Sequence, residues 1–98
     1  MPLASQRPDL YVVARLLEAL WKEGRTMRKT QLQLAAGVNY TVFQKYAELL
    51  ESRGFIRVVP DDRGGEELEL TQKGREALQF LLEGMNRVLG RSGGRDLP

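Results

Sequence analysis

Two helical patterns separated by a very short connection constrain this chain more than any other feature. Thr30 and Gln33 have the spacing of a capping box, which would open the first of these helices. Gly37 provides the backbone freedom to leave that helix in a left-handed turn, and Asn39 is a residue type that caps the next helix. We therefore predict two helices that meet at a three-residue turn. The inward residues of the first helix are predicted to be Leu32, Ala35 and Ala36.

The second of these helices is predicted to span Tyr40 to Arg53 and to end at Gly54. Val38 and Phe43 have the spacing of a hydrophobic staple at its start. Its inward stripe follows the i, i+3, i+4, i+7 pattern and consists of Phe43, Tyr46, Ala47 and Leu50.

A hairpin and two further helices complete the predicted domain. Residues 55–59 are rich in β-branched and aromatic types and residues 67–70 alternate strictly, which predicts two strands joined by a loop at 60–65. A helix from about Asp9 to Glu23, stopped by Gly24, has apolar residues on more than one face and should pack on more than one side. The last helix is capped by Thr71 and runs to about Leu89.

The predicted element order is ααα-ββ-α, with a short strand near Met27. This is a mainly α fold with a small β-hairpin, namely a winged helix-turn-helix followed by a C-terminal helix. We predict a flexible arm at residues 1–8, the winged-helix domain at 9–89 with a dimerisation helix at 72–89, and a flexible tail at 90–98.

Composition argues against catalysis. The 98 residues include neither Cys nor His, which removes disulfides, thiol and histidine catalysis, and Cys/His zinc sites. We predict that the protein is not an enzyme and uses no cofactor or metal. The sequence shows no secretory segment and no apolar run of the roughly 20 residues that span a bilayer, which predicts no membrane partner and a cytoplasmic, nucleoid-associated protein.

Positive charge is concentrated on the two-helix unit. From Gly24 to Ala47 there is no acidic residue, and two Arg and two Lys give this stretch a net charge of +4. The whole chain carries +2, so the remainder is net −2. Because phosphate repels carboxylates, this distribution favours contact between the two-helix unit and DNA.

A helix fits the major groove and reads base edges through hydrogen-bonding side chains. The predicted DNA contacts are Arg28, Lys29, Thr30, Asn39, Tyr40, Thr41, Gln44, Lys45, Arg57 and Arg63. Several of them have a simpler interpretation. Asn39 would only cap its helix, Tyr40 would be a packing residue, and the basic stretch of Arg25, Arg28 and Lys29 would be an ordinary solvated surface. Tyr46 is expected in the core.

The last helix carries an apolar seam with 3-4-3 spacing and flanking leucines, more apolar surface than one side needs. We predict a homodimer interface formed by Leu78, Leu81, Leu82, Met85, Val88 and Leu89. The alternative is that this helix simply closes the core of the protomer.

The segments AAGVNYTVFQKYAELLESRGFIRV and LELTQKGREAL resemble the archaeal-type winged-helix transcriptional regulators, relatives of the MarR and PadR groups, over roughly residues 10–89. The resemblance implies a homodimer with packed terminal helices, no cofactor, and recognition helices presented to successive major grooves. By position, the recognition helix is Tyr40 to Arg53 and the wing is Pro60 to Glu67. The wing departs from this pattern because it contains four carboxylates and a single Arg63.

The sequence therefore predicts a sequence-specific or architectural double-stranded DNA-binding protein that acts as a homodimeric transcriptional regulator. The alternative is a winged-helix protein-protein interaction module without direct DNA contact. An acidic wing would point away from phosphate or toward a protein.

Overall fold

The structure, a computed structural model, describes residues 8–24 and 26–89. The predicted tail and all of the predicted arm except Pro8 lie outside the described residues. Seven elements follow in order: α1 (Leu10–Lys22), β1 (Thr26–Met27), α2 (Lys29–Ala36), α3 (Tyr40–Ser52), β2 (Ile56–Pro60), β3 (Glu66–Leu70) and α4 (Gln72–Leu89). The predicted mainly α winged-helix architecture is confirmed.

Helix α1 lies at the centre of the domain and contacts α2, α3, α4 and the sheet. Leu16, Leu17 and Leu20 have no exposed area, because the helix is covered on several sides. Burial of each such side chain contributes roughly 1.5–3 kcal/mol to stability. The Asp9 carboxylate caps α1 by accepting from the Tyr11 amide at 2.9 Å. Because α1 is covered on several sides, its wide apolar surface is explained largely within one protomer.

Helix α2 begins two residues earlier than the sequence pattern predicts, at Lys29. The capping box predicted at Thr30 and Gln33 is wrong: the N-cap is Arg28, whose backbone amide donates to the side-chain oxygen of Gln31 at 3.2 Å. The inward position predicted for Ala35 is also wrong, since Ala35 is exposed and only Leu32 and Ala36 of α2 are buried.

Helix α3 matches its prediction closely. Asn39 caps it by accepting from the Val42 amide at 2.9 Å, and Phe43, Tyr46 and Leu50 are buried. The Tyr46 hydroxyl accepts from the backbone amide of Asp9 at 2.7 Å, which joins α3 to the start of α1.

The sheet has three antiparallel strands in the order β1-β3-β2, so the short strand expected near Met27 pairs with the hairpin. Ile56 lies opposite Leu70 at one end of the hairpin, and Pro60 lies opposite Glu66 at the other. The wing predicted at Pro60 to Glu67 is therefore shorter than expected, since its ends belong to strands. We call the connecting residues 61–65 the wing tip.

Helix α4 is anchored where it leaves the sheet. The Thr71 hydroxyl accepts from the Gly74 amide at 3.0 Å and donates to the Gly54 carbonyl at 2.6 Å. Gly74 is buried against the Phe55 carbonyl, where no side chain fits. These contacts fix α4 against the end of α3 and the first strand of the hairpin.

Candidate nucleic-acid interface

The first two turns of α3 present hydrogen-bonding side chains to solvent without any carboxylate. Tyr40, Thr41, Gln44 and Lys45 are all exposed, and the Tyr40 side chain, 61% exposed, is an outward residue and not a packing residue. The acidic residues of this helix come later, beginning with Glu48. The helix N-terminus adds its own positive dipole end, so this half of α3 is suited to a polyanion.

The angle between α2 and α3 is set by a glycine and an arginine. Gly37 ends α2 in the left-handed region at φ 71°, and its amide donates to the Gln33 carbonyl at 3.1 Å. The Arg15 guanidinium of α1 donates to the Ala36 carbonyl, one of the acceptors left open at the end of α2. A Cβ on residue 37 would lie 2.7 Å from the Arg15 guanidinium and would displace it, and the left-handed backbone itself favours glycine.

The cations predicted to contact DNA fall into two groups in the structure. Lys29, Lys45 and Arg63 are exposed and make no ion pair with any residue of 8–24 or 26–89. Arg28 instead pairs with Asp61 of the wing tip. Arg57 pairs across the hairpin with Glu69, with 2.5 Å between Arg57 Nε and Glu69 Oε1.

The remaining predicted contacts, Thr30 and Asn39, are also exposed. Thr30 is exposed in the first turn of α2, and Asn39 is exposed while its side chain caps α3. Asn39 therefore caps α3, and its contact with DNA stays a prediction. Arg25, which contributed to the charge of the basic stretch, lies outside the described residues.

The wing tip is closed by its own backbone. The Asp61 amide donates to the Gly65 carbonyl at 2.9 Å, and the Gly64 amide donates back to the Asp61 carbonyl at 3.1 Å. The Asp61 side chain turns toward Arg28 and is only 13% exposed, whereas Asp62 and Arg63 are exposed at the end of the tip. One of the wing carboxylates that would repel phosphate is thus neutralised within the protomer.

The predicted seam of α4 divides between core and surface. Leu78 is 2% exposed and belongs to the core of the protomer, so its assignment to a subunit interface is corrected. Leu81 and Leu82 are partly buried and pack against that core. Met85 is half-buried, Val88 is 84% exposed, and the side chain of Leu89 lies outside the described part of the chain.

The exposed apolar surface runs along a different line of α4. Phe80, 76% exposed, precedes Val88 by eight residues, and Gly84 lies midway between them, so the three follow an i, i+4, i+8 ridge. Leu10 and Tyr11 of α1, 56% and 63% exposed, line the same groove. We call these five residues the apolar ridge.

Several residues of these surfaces are not among the predicted site residues. Leu10, Phe80 and Arg15 were not assigned to any site, and Asp61 was regarded only as a repulsive charge. Phe80 and Leu10 could have been found by asking which apolar residues remain after the core stripe is removed. The contact of Arg15 with the end of α2 leaves no local signal in the sequence.

Comparison with known families agrees with this architecture. A family model described as winged helix-turn-helix matches residues 6–88. The chain belongs to the winged helix-turn-helix family. No curated protein sequence matches it.

Solved structures share its fold at low identity. Sso10a-2, a DNA-binding protein from Sulfolobus solfataricus, is 22% identical with a TM-score of 0.72, and the match covers 85% of this chain and 83% of that one. A winged-helix DNA-binding protein from STIV is 18% identical with a TM-score of 0.75, covering 85% and 96%. A MarR-family transcriptional regulator from Silicibacter pomeroyi is 22% identical with a TM-score of 0.71, covering 90% of this chain and 60% of the regulator.

Within residues 8–24 and 26–89, no helix is long and apolar enough to cross a membrane.

Proposed function

We propose that this protein binds double-stranded DNA without catalysis, as a homodimer, and acts as a transcriptional regulator or a DNA-coating protein of the cytoplasmic nucleoid. The observation that carries the proposal is the carboxylate-free, exposed first half of α3, held outward by the turn at Gly37. The family assignment supports it, as do neighbours described as DNA-binding proteins and as transcriptional regulators.

In this proposal the first half of α3 enters the major groove. Gln44 offers an amide that can pair bidentately with an adenine edge, and Lys45 offers an ammonium to a phosphate or a guanine. Lys29 and Thr30, in the first turn of α2, lie on the flank of the groove and donate to the phosphate backbone. Arg63 of the wing tip is the wing residue best placed for a further phosphate contact.

The apolar ridge supports the homodimer. Large apolar side chains at the start of α1 and along α4 are exposed together, and the ridge has Gly84 at its middle, where two helices can approach closely. A second copy of the chain would cover this ridge with its own, as a twofold axis requires. Leu81 and Met85 would contribute at the margin, and the two recognition helices would address half-sites about one helical turn, ~34–36 Å, apart.

DNA binding is tested by fluorescence anisotropy on a labelled duplex of random sequence, from about 50 to about 200 mM salt. We expect log K to fall linearly with log salt, and Lys45→Gln to reduce the slope by about 0.9 for each protomer bound. Lys73→Gln is the matched control, because Lys73 lies beside Gly54, beyond the far end of α3. The control should keep the wild-type slope.

Two results would contradict this assignment. A salt-independent or undetectable interaction would remove DNA binding and favour the protein-interaction module. Equal losses for the two lysine variants would keep DNA binding but remove the first half of α3 as its site.

The homodimer is tested by analytical ultracentrifugation of Phe80→Glu and Val88→Glu. Since both side chains are exposed in the protomer, the substitutions should leave folding intact, whereas a buried carboxylate at a subunit interface is strongly unfavourable. We expect monomers, with Gln79→Glu on the polar side of α4 remaining dimeric. Wild-type protein that sediments as a monomer, or variants that remain dimers, would refute the proposed interface.

A further inference from the structure

Arg28 stands at the start of α2 but does not face solvent freely. Its guanidinium donates to the carboxylate of Asp61, which is 33 residues away in the chain and belongs to the wing tip. The arginine side chain is 46% exposed and the carboxylate only 13%. The pair therefore lies at the surface with its anionic member turned inward.

The wing tip is built to hold this carboxylate in place. Asp61 takes part in two backbone hydrogen bonds that close the tip, so its position is fixed by the loop and not by the ion pair alone. The guanidinium also lies against the tip backbone, since a Cβ on Gly65 would be 3.5 Å from Arg28 Nη1. Arg28 is thus held by a preformed site on the wing.

This arrangement changes the charge that the start of α2 offers to DNA. A free arginine can pair bidentately with phosphate, whereas an arginine paired with a carboxylate forms a pair of zero net charge and has part of its donor set occupied. Lys29, the next residue, is exposed and makes no ion pair with the described residues. The cationic flank of the helix-turn-helix is therefore weaker than its sequence suggests.

We propose that Asp61 is a positioning residue that withholds Arg28 from the DNA backbone and thereby limits sequence-independent affinity. The proposal rests on the proposed DNA-binding function. It also gives a role to one of the four wing carboxylates: Asp61 neutralises a cation of the binding unit, as Glu69 neutralises Arg57 within the hairpin. Removal of the Asp61 charge would release Arg28 to a phosphate.

The test compares Asp61→Asn with Asp62→Asn, in the wild-type chain and in an Arg28→Gln background. Both substitutions remove one negative charge from the wing tip, and Asp62 is exposed with no ion-pair partner among residues 8–24 and 26–89. The readout is the slope of log K against log salt for a random duplex. Thermal melts of every variant verify that the chain is folded, and Asp61→Ser replaces Asp61→Asn if the latter is not.

We expect Asp61→Asn to steepen the slope by about 0.9 per protomer, which is one added phosphate contact. Asp62→Asn should change it less, and the difference between the two variants should vanish once Arg28 is Gln. Asp61→Glu, which keeps the charge, should retain the wild-type slope. These results together would support the proposal.

Equal slopes for the two Asn variants in the wild-type chain would overturn the proposal, as would a difference that persists without Arg28. Each of these outcomes requires a wild-type protein that binds DNA in a salt-dependent manner. A wild-type protein that fails to bind would instead refute the proposed function itself, so the two failures are distinguishable.

Discussion

Gly74→Ala should destabilise the domain sharply, because this position is where α4 meets the hairpin. A Cβ there would lie 2.0 Å from the Phe55 carbonyl oxygen and 2.8 Å from Leu70 Cδ1. The oxygen cannot rotate away, since it belongs to the backbone and accepts from the Thr71 amide at 3.1 Å. Overpacking costs about 1–3 kcal/mol, and a contact this short with a fixed backbone oxygen places Gly74→Ala at the upper end of that range; helix propensity returns about 1 kcal/mol.

We therefore expect a net loss of about 2 kcal/mol in the free energy of unfolding, which lowers Tm by about 8–16 °C in a domain of this size. The matched control is Gly84→Ala in the same helix, where a Cβ meets nothing within 4 Å. In the isolated protomer, which is measured at low protein concentration, the control should gain about 0.4–1 kcal/mol.

Circular dichroism melts and urea titrations give both numbers. The melts are repeated at several protein concentrations, because Gly84 lies on the apolar ridge and self-association shifts Tm by mass action. Equal stability for the two alanine variants would refute the close contact between α4 and the hairpin.

Two further predictions concern the helix-turn-helix formed by α2 and α3. Glu48→Gln removes an exposed carboxylate four residues after Gln44. It should strengthen binding to random duplex by up to about 1 kcal/mol, the Coulomb energy of unit charges about 4 Å apart in water. Anisotropy should show no such gain for Glu83→Gln on α4, and equal gains would contradict the placement of α3 against DNA. Gly37→Ala should lower the free energy of unfolding, measured by urea titration, by about 1–2 kcal/mol, because the backbone of residue 37 is left-handed and its Cβ would displace Arg15 from the Ala36 carbonyl. An unchanged unfolding midpoint would show that the turn tolerates a side chain.

Local signals predicted the elements of this fold well. Gly37, Asn39 and Gly54 have backbone or capping roles that depend on their immediate neighbours, so the sequence alone indicates where α3 begins and ends. The strict alternation at 67–70 likewise identifies a strand. The cap on α2 was predicted at the wrong residue because Arg28 is not a side chain typical of N-caps, and the contact at this position is made by its backbone amide, which donates to Gln31.

The surfaces were less predictable because they depend on distant contacts. Periodicity shows that α4 is apolar around much of its circumference, but only the position of α1 determines that Leu78 is covered while Phe80 is exposed. For the same reason, the acid-free stretch around Arg28 does not show whether its charge is already paired. Its partner comes from the wing tip, and composition does not show which cations are already neutralised.

The most direct test of the central claim is a titration of ¹⁵N-labelled protein with a random duplex, followed by amide chemical shifts. If the first half of α3 lies against DNA, the largest shifts should fall on Asn39 to Lys45 and on the start of α2, and they should reverse as salt is added. Shifts confined to the apolar ridge, with the α3 amides unchanged, would contradict the binding of DNA by α3.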